Sequence, residues 1–164
     1  MVMSVNDHKI QKITSRDKQG MSEVDAGVDD EFKLDARLRS DCEFVANLGL
    51  CTLLLMNNAS VPWFILVPNV MGATELASLP VLQQQQVLNE INQVADMVTS
   101  LYIPHKLNIG ALGNVVSQLH IHVIGRFTHD VAWPNPVWGQ LAPNVYGDAE
   151  LLSQLAQVRA HLAA

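Results

Sequence analysis

Polar residues recur at every second position of Gln118-Leu119-His120-Ile121-His122, and Val123 and Ile124 continue the run with apolar side chains. Extended backbone turns successive side chains to opposite faces, so this spacing predicts Gln118, His120 and His122 side by side on one face. Leu119, Ile121 and Val123 then seal a core on the other. A neutral imidazole carries a lone pair on one ring nitrogen and a proton on the other, and it titrates near neutral pH. Two imidazoles and an amide on a rigid element suit three uses. In the first, His120 attacks an electrophilic phosphorus or carbonyl while His122 hydrogen-bonds the developing charge. In the second, the pair supplies two ligands of a metal site completed by residues such as His105, His129 or Asp130, none of which stands at a diagnostic spacing. The third is a binding pocket without turnover. A lone histidine on an apolar strand is ordinarily structural. A second at i+2 weighs against that plainer reading, because it replaces burial that Leu or Val would supply. The preceding loop suits the first use, since Gly110 and Gly113 permit close backbone approach while Asn108, Asn114 and Ser117 carry uncharged hydrogen-bonding groups.

The elements that must hold this strand follow from hydrophobic periodicity. Residues 106–111 read as a short strand and 119–126 as the histidine strand. Residues 32–47 read as a helix, with Asp35 near its start and Phe32, Ala36, Leu38, Phe44 and Val45 turned to the core. Residues 50–56 and 63–67 form two strands of a hairpin, joined through the turn chemistry of Asn57-Asn58-Ala59-Ser60. From Ser78 and Pro80 a long helix runs through Leu88, Ile91, Ala95, Val98 and Tyr102, with Gln83 to Gln86 on its solvent side and Pro104 as its stop. A last helix spans 148–162. The order of helix, hairpin, helix, two strands and helix predicts an α+β fold with an antiparallel sheet. Residues 133–139, with Trp133, Pro134, Pro136 and Trp138, make a rigid turn over one end of the sheet, either as packing or as an aromatic lid over a base-sized ligand.

Composition limits the class. The chain has 164 residues, 49% of them hydrophobic and 16% charged, which is enough for a full core in one domain over residues 31–164. Residues 1–30 hold no aromatic and mix both charge signs around Gly20 and Gly27, as a poorly ordered tail does, and Met21 is a second candidate start. A net charge of −6 excludes a general nucleic-acid binder, which would neutralise phosphates with clustered Lys and Arg. Lys106 and Arg126 flank the histidine motif; they read either as local positive potential for a small anion or as solvated strand-end charges. No apolar run approaches the roughly 20 residues of a spanning helix and residues 1–30 lack a signal-peptide block, so a cytoplasmic protein without membrane attachment is expected. Cys42 and Cys51 have no metal-ligand spacing and read as buried free thiols.

The segment from Lys106 to Arg126, KLNIGALGNVVSQLHIHVIGR, resembles the signature of the histidine triad (HIT) superfamily of nucleotide hydrolases and transferases. Leu53 to Asn58 and Phe64 to Pro68 resemble that fold's ligand-binding hairpin, and Pro136-Val137-Trp138-Gly139 is similar to a segment of a bacterial branch. The resemblance covers most of residues 32 to about 140. It implies attack at the α-phosphate of a nucleoside phosphoramidate or a mono- or dinucleoside polyphosphate, without a metal or other cofactor, in a homodimer whose sheets join. His120 would be the nucleophile, forming a nucleotidyl-histidine that water hydrolyses, and His122 would contact phosphate oxygens. The Gln118 carbonyl would fix the His120 tautomer. Asn108, Asn114 and Ser117 would serve the phosphates or sugar, and Leu55, Asn57 and Asn58 would line the base and ribose pocket. A nucleotide-binding or sensing protein without efficient turnover is the alternative.

Three positions depart from the family pattern. Gln118 stands where the first histidine of the triad usually sits, and an amide does not change charge near neutral pH. Trp63 replaces a further histidine near the leaving group; an indole packs and donates one bond but is no general acid. Asn58 lies where a ribose-binding carboxylate is common.

Overall fold

The computed structural model describes residues 32–164, and the tail expected over residues 1–30 lies outside the described residues. Five strands make one antiparallel sheet: β1 (Cys42–Asn47), β2 (Cys51–Met56), β3 (Trp63–Pro68), β4 (Lys106–Gly110) and β5 (Ile121–Arg126), in the order β1-β2-β3-β5-β4. Helices α1 (Ala36–Asp41), α2 (Val81–Tyr102) and α3 (Asp148–Leu162) flank it, with a 3-10 turn at Leu76–Ser78. The expected α+β class is the one observed.

The helix expected over residues 32–47 is corrected. Only α1 forms there, started by Asp35, whose Oδ1 accepts the Arg37 N–H at 2.8 Å. From Cys42 the chain becomes β1 and pairs with β2, so the expected hairpin is the second half of a three-stranded meander. Cys42-Glu43-Phe44-Val45 can satisfy its backbone on the sheet edge, and that pairing outweighs a short helical continuation. A register shift between Phe44 and Ala46 lets Val45 bury while Phe44 faces solvent at 50% exposure.

Alternation along the strands builds two cores. Leu53, Leu55, Phe64, Leu66, Ile121 and Val123 face α2 and α3, with Leu119 just ahead of β5 joining them. Leu54, Trp63, Ile65, Val67 and Ile124 face the other way, against Leu38 of α1 and Val116, Ala132 and Val137 of the loops. The buried stripe of α2 is Val87, Ile91, Val94, Met97 and Val98. Leu88, expected in that stripe, is exposed: Ile91 and Val98 satisfy both helical phases, and the sheet selects the one that also buries Val87 and Val94. Gly125 permits the close approach of α2 to β5, since a Cβ there would stand 3.1 Å from Val98 Cγ1. Glu90 of α2 accepts the N–H groups of Leu50 and Cys51 at 2.6 and 2.8 Å, tying the helix to the start of β2. The glutamine run is only partly a solvent face, because Gln84 donates to the Leu79 carbonyl and Gln86 to Glu90. Cys42 and Cys51 are free and buried, and no helix among the described residues is long and apolar enough to cross a membrane.

Candidate active site

His120 immediately precedes β5 and His122 is its second residue, and both are buried on the face opposite α2. Their rings meet edge to face, with centroids 5.0 Å apart. The Gln118 carbonyl lies 2.7 Å from His120 Nδ1. A carbonyl oxygen only accepts, so Nδ1 carries the proton and the lone pair belongs to Nε2. His122 meets the opposite condition: the Trp63 indole N–H donates to its Nδ1 at 2.9 Å, so that nitrogen carries the lone pair and Nε2 the proton. The main-chain geometry holds this contact, since His122 stands opposite Ile65 of β3, two residues along from Trp63. On its other partner strand His122 stands opposite Gly110, where a Cβ would come 3.4 Å from the Trp138 ring. Trp138 also contacts His122, with centroids 5.5 Å apart, and its buried indole N–H finds no acceptor among the described residues. Burial first, and the electrostatic repulsion that a second imidazolium would meet beside His120 second, lower the His122 pKa to about 4.

The pair opens on a cavity of about 420 Å³ whose other walls include Arg37, Leu38 and Asp41 of α1, together with Met56, Trp63 and Trp138. An adjoining hollow of about 410 Å³ shares Asp41, Met56 and Trp63 and continues to Asn57 and Asn58. On its other side His120 borders a hollow of about 270 Å³ with Glu75, Gly113 and Asn114. The volume suits a small molecule, and the arrangement borders it with one unprotonated ring nitrogen and one N–H on adjacent imidazoles.

The HIT domain family model matches residues 37–129. The chain belongs to the HIT domain family. Its structure is similar to those of histidine triad proteins from three bacteria. The one from Bradyrhizobium japonicum is 37% identical, with a TM-score of 0.78 over 80% of this chain and 98% of that one. The one from Sinorhizobium meliloti is 40% identical, with a TM-score of 0.77 over 79% and 96%. The one from Marinobacter aquaeolei is 41% identical, with a TM-score of 0.79 over 81% and 97%. Comparison with curated proteins gives no match.

Within this HIT fold the expected site residues separate. His120, His122 and Asn114 border the central cavities. Gln118 contributes its backbone carbonyl there, but its side chain turns to the amino-terminal segment: Oε1 accepts the Asp35 N–H and Nε2 donates to the Lys33 carbonyl, each at 2.9 Å. Gln118 thus borders the same hollow as His120 and Asn114 while its amide serves as a tether to the backbone ahead of α1. Leu55 is corrected, because alternation puts it in the core under α2 and α3 while Met56 reaches the cavity. Asn108 is committed elsewhere: its Oδ1 accepts from Arg126 at 2.6 Å and its Nδ2 donates to the Leu107 carbonyl. Ser117 lies in a shallower hollow beside Lys33, Asp35 and Gln118. Asn57 Oδ1 accepts the Tyr146 N–H, and Asn58 bonds the Ala142 carbonyl and the Ser60 N–H, so both hold the chain ahead of α3 while bordering the second hollow.

Arg126 fits neither sequence reading. It is 1% exposed, bonded by Nε and Nη2 to the two oxygens of Asp130 at 2.8 and 2.9 Å. That pair is a buried internal bridge rather than an anion site or a solvated charge. It also takes Asp130 from the proposed ligand set, and among the described residues no group of three or more His, Cys, Asp or Glu could hold a metal. Sequence reasoning missed Arg37 and Asp41, an i,i+4 pair at 3.5 Å beside the histidines. Only their helical spacing marks them, and nothing in the sequence says which face of the sheet α1 covers.

Proposed function

We propose that this HIT chain is a nucleotide hydrolase or nucleotidyl transferase acting at the α-phosphate of a nucleoside phosphoramidate or of a mono- or dinucleoside polyphosphate through a nucleotidyl-His120 intermediate. The observation that carries it is the 2.7 Å contact between His120 Nδ1 and the Gln118 carbonyl. With the proton held on that side, the Nε2 lone pair is free to attack phosphorus, and the carbonyl is placed to stabilise the positive charge the ring gains on becoming phosphorylated. In the first step a bond forms from Nε2 to the α-phosphorus, and the bond to the leaving group breaks with its electron pair. Water then attacks the same phosphorus, the nitrogen–phosphorus bond breaks, and the nucleoside monophosphate leaves while a proton passes to solvent. In transfer, another acceptor takes the place of water. His122 hydrogen-bonds a phosphate oxygen, and Asn114 supplies a further uncharged donor beside His120. Asn57 and Asn58, with Met56 and Asp41, border the hollow suited to the nucleoside. Gln118 acts through its carbonyl.

The same family reading extends to the assembly. We read residues 31–164 as one domain and the chain as a homodimer joined along β4, an outer strand of the sheet on which Ile109 is 48% exposed. Buried free Cys42 and Cys51 accord with a reducing, cytoplasmic setting. The functional test incubates the protein with adenosine phosphoramidate, ATP and a diadenosine polyphosphate. Wild type releases AMP from at least one of them, and His120→Ala releases none. Binding that raises the melting temperature without AMP release would favour the alternative of a nucleotide-binding or sensing protein.

A further inference from the structure

We propose that Trp63 is a positioning residue that fixes His122 as a hydrogen-bond donor unable to pass on a proton, so that the site favours nucleotides whose leaving group departs as an anion. The proposal rests on His120 acting at the α-phosphorus and narrows the substrate class of that reaction.

The two imidazoles are held in opposite tautomers by partners of fixed polarity. The Gln118 carbonyl cannot donate and the Trp63 indole cannot accept. Protonating His122 at Nδ1 would set an N–H against the indole N–H and break the 2.9 Å bond. The ring is also 5% exposed and packed edge-on by Trp63, Trp138 and His120, so water is poorly placed to replace that bond. Its pKa of about 4 accords with this, since desolvation already disfavours the cation. Nε2–H remains to bond a phosphate oxygen, a task that needs a donor and no exchange of protons.

Among the described residues, no other group lining the cavity can supply a proton to a leaving group near neutral pH. The cavity's remaining ionisable side chains are Arg37, a guanidinium that keeps its proton, and Asp41, the carboxylate paired with it. The hollow on the far side of His120 adds only the carboxylate of Glu75. When the α-phosphorus to oxygen bond of a polyphosphate breaks, the electron pair stays on a phosphate or pyrophosphate oxygen, and the product is a stable anion that needs no proton. When the phosphorus to nitrogen bond of a phosphoramidate breaks, the pair falls on nitrogen, which must gain a proton to leave as an amine or ammonia. A site without a proton donor near neutral pH therefore discriminates against the second class.

Two measurements test this. In the first, nitrogen-15 NMR of the ligand-free protein reads the His122 tautomer and does not depend on any activity. Wild type shows Nδ1 unprotonated and Nε2 protonated, with little change between pH 8 and about pH 5. Trp63→Phe, which keeps an aromatic ring and removes the N–H, mixes the tautomers and titrates at higher pH. Identical shifts and titration in the two proteins would overturn the positioning role. In the second, kcat/KM is compared for ATP or diadenosine triphosphate and for adenosine phosphoramidate. Wild type prefers the polyphosphate by at least about tenfold, and Trp63→His, which restores a titratable group, narrows that ratio by about tenfold or more through kcat. Equal use of both classes by wild type, or an unchanged ratio in Trp63→His, would overturn the leaving-group preference. Absence of turnover with every nucleotide would overturn the α-phosphate reaction and the preference with it, and the NMR result would still decide the tautomer.

Discussion

Gln118, His120 and His122 stand two residues apart, yet their side chains have three different environments. The period of two made the shared face of the histidines legible, because strand geometry alone dictates it. It did not reveal that the Gln118 amide is committed to the backbone at Lys33 and Asp35, just ahead of α1. No local pattern marks a partner more than 80 residues distant. The Trp63 contact was hidden for the same reason, since it depends on the register of β3 against β5. Burial of His122 carries a pH prediction. An unfolded histidine binds a proton near pH 6.5, and the folded ring declines it until about pH 4. The neutral ring costs no stability above the unfolded value. As pH falls from about 6.5 to about 4, the unfolded chain gains protons first and folding weakens by an amount on the order of 3 kcal/mol. Urea denaturation at pH 7 and pH 4.5 measures this, and His122→Asn should remove much of the difference.

At the scale of elements, length and phase decided what could be read in advance. The long α2 and the terminal α3 declare themselves through repeated apolar positions, and the observed Asp148–Leu162 has the expected bounds of the last helix. Residues 36–47 resisted the same reading, because six residues of helix followed at once by six of edge strand give neither period room to repeat. The polar anchor of β4 to β5 was equally hidden. Arg126 joins Asn108 of the neighbouring strand, Asp130 of the following turn and the Asn135 carbonyl, and the Arg126 guanidinium holds the Asp130 carboxyl below its ordinary pKa. The Trp133 ring lies 5.8 Å from the same guanidinium. Removing one charge of a buried pair strands the other, so Asp130→Ala should lose about 3 kcal/mol or more in chemical denaturation. Lys106→Ala, at the exposed start of β4, should change stability by less than about 0.5 kcal/mol.

For the molecule as a whole, the sheet divides the labour. One face buries α2 and α3 and supplies a large apolar core, while the other carries the histidines under α1 and the tryptophan-bearing loop. The α+β class and the family were legible because the histidine motif and its flanking strands are contiguous in sequence, whereas the Arg37 and Asp41 wall depends on how α1 folds back. Joining of sheets along β4 predicts a particle of twice the chain mass in sedimentation, and a monomer at micromolar concentration would argue against it. The proposed reaction turns on a bond between His120 Nε2 and the α-phosphorus. Its most direct test is a rapid alkaline quench of wild type during turnover of ATP labelled at the α-phosphate, followed by peptide mapping. We predict acid-labile, base-stable label on the peptide containing His120, and none with His120→Ala. Nucleotide release at the wild-type rate by His120→Ala, without labelled enzyme, would contradict the account.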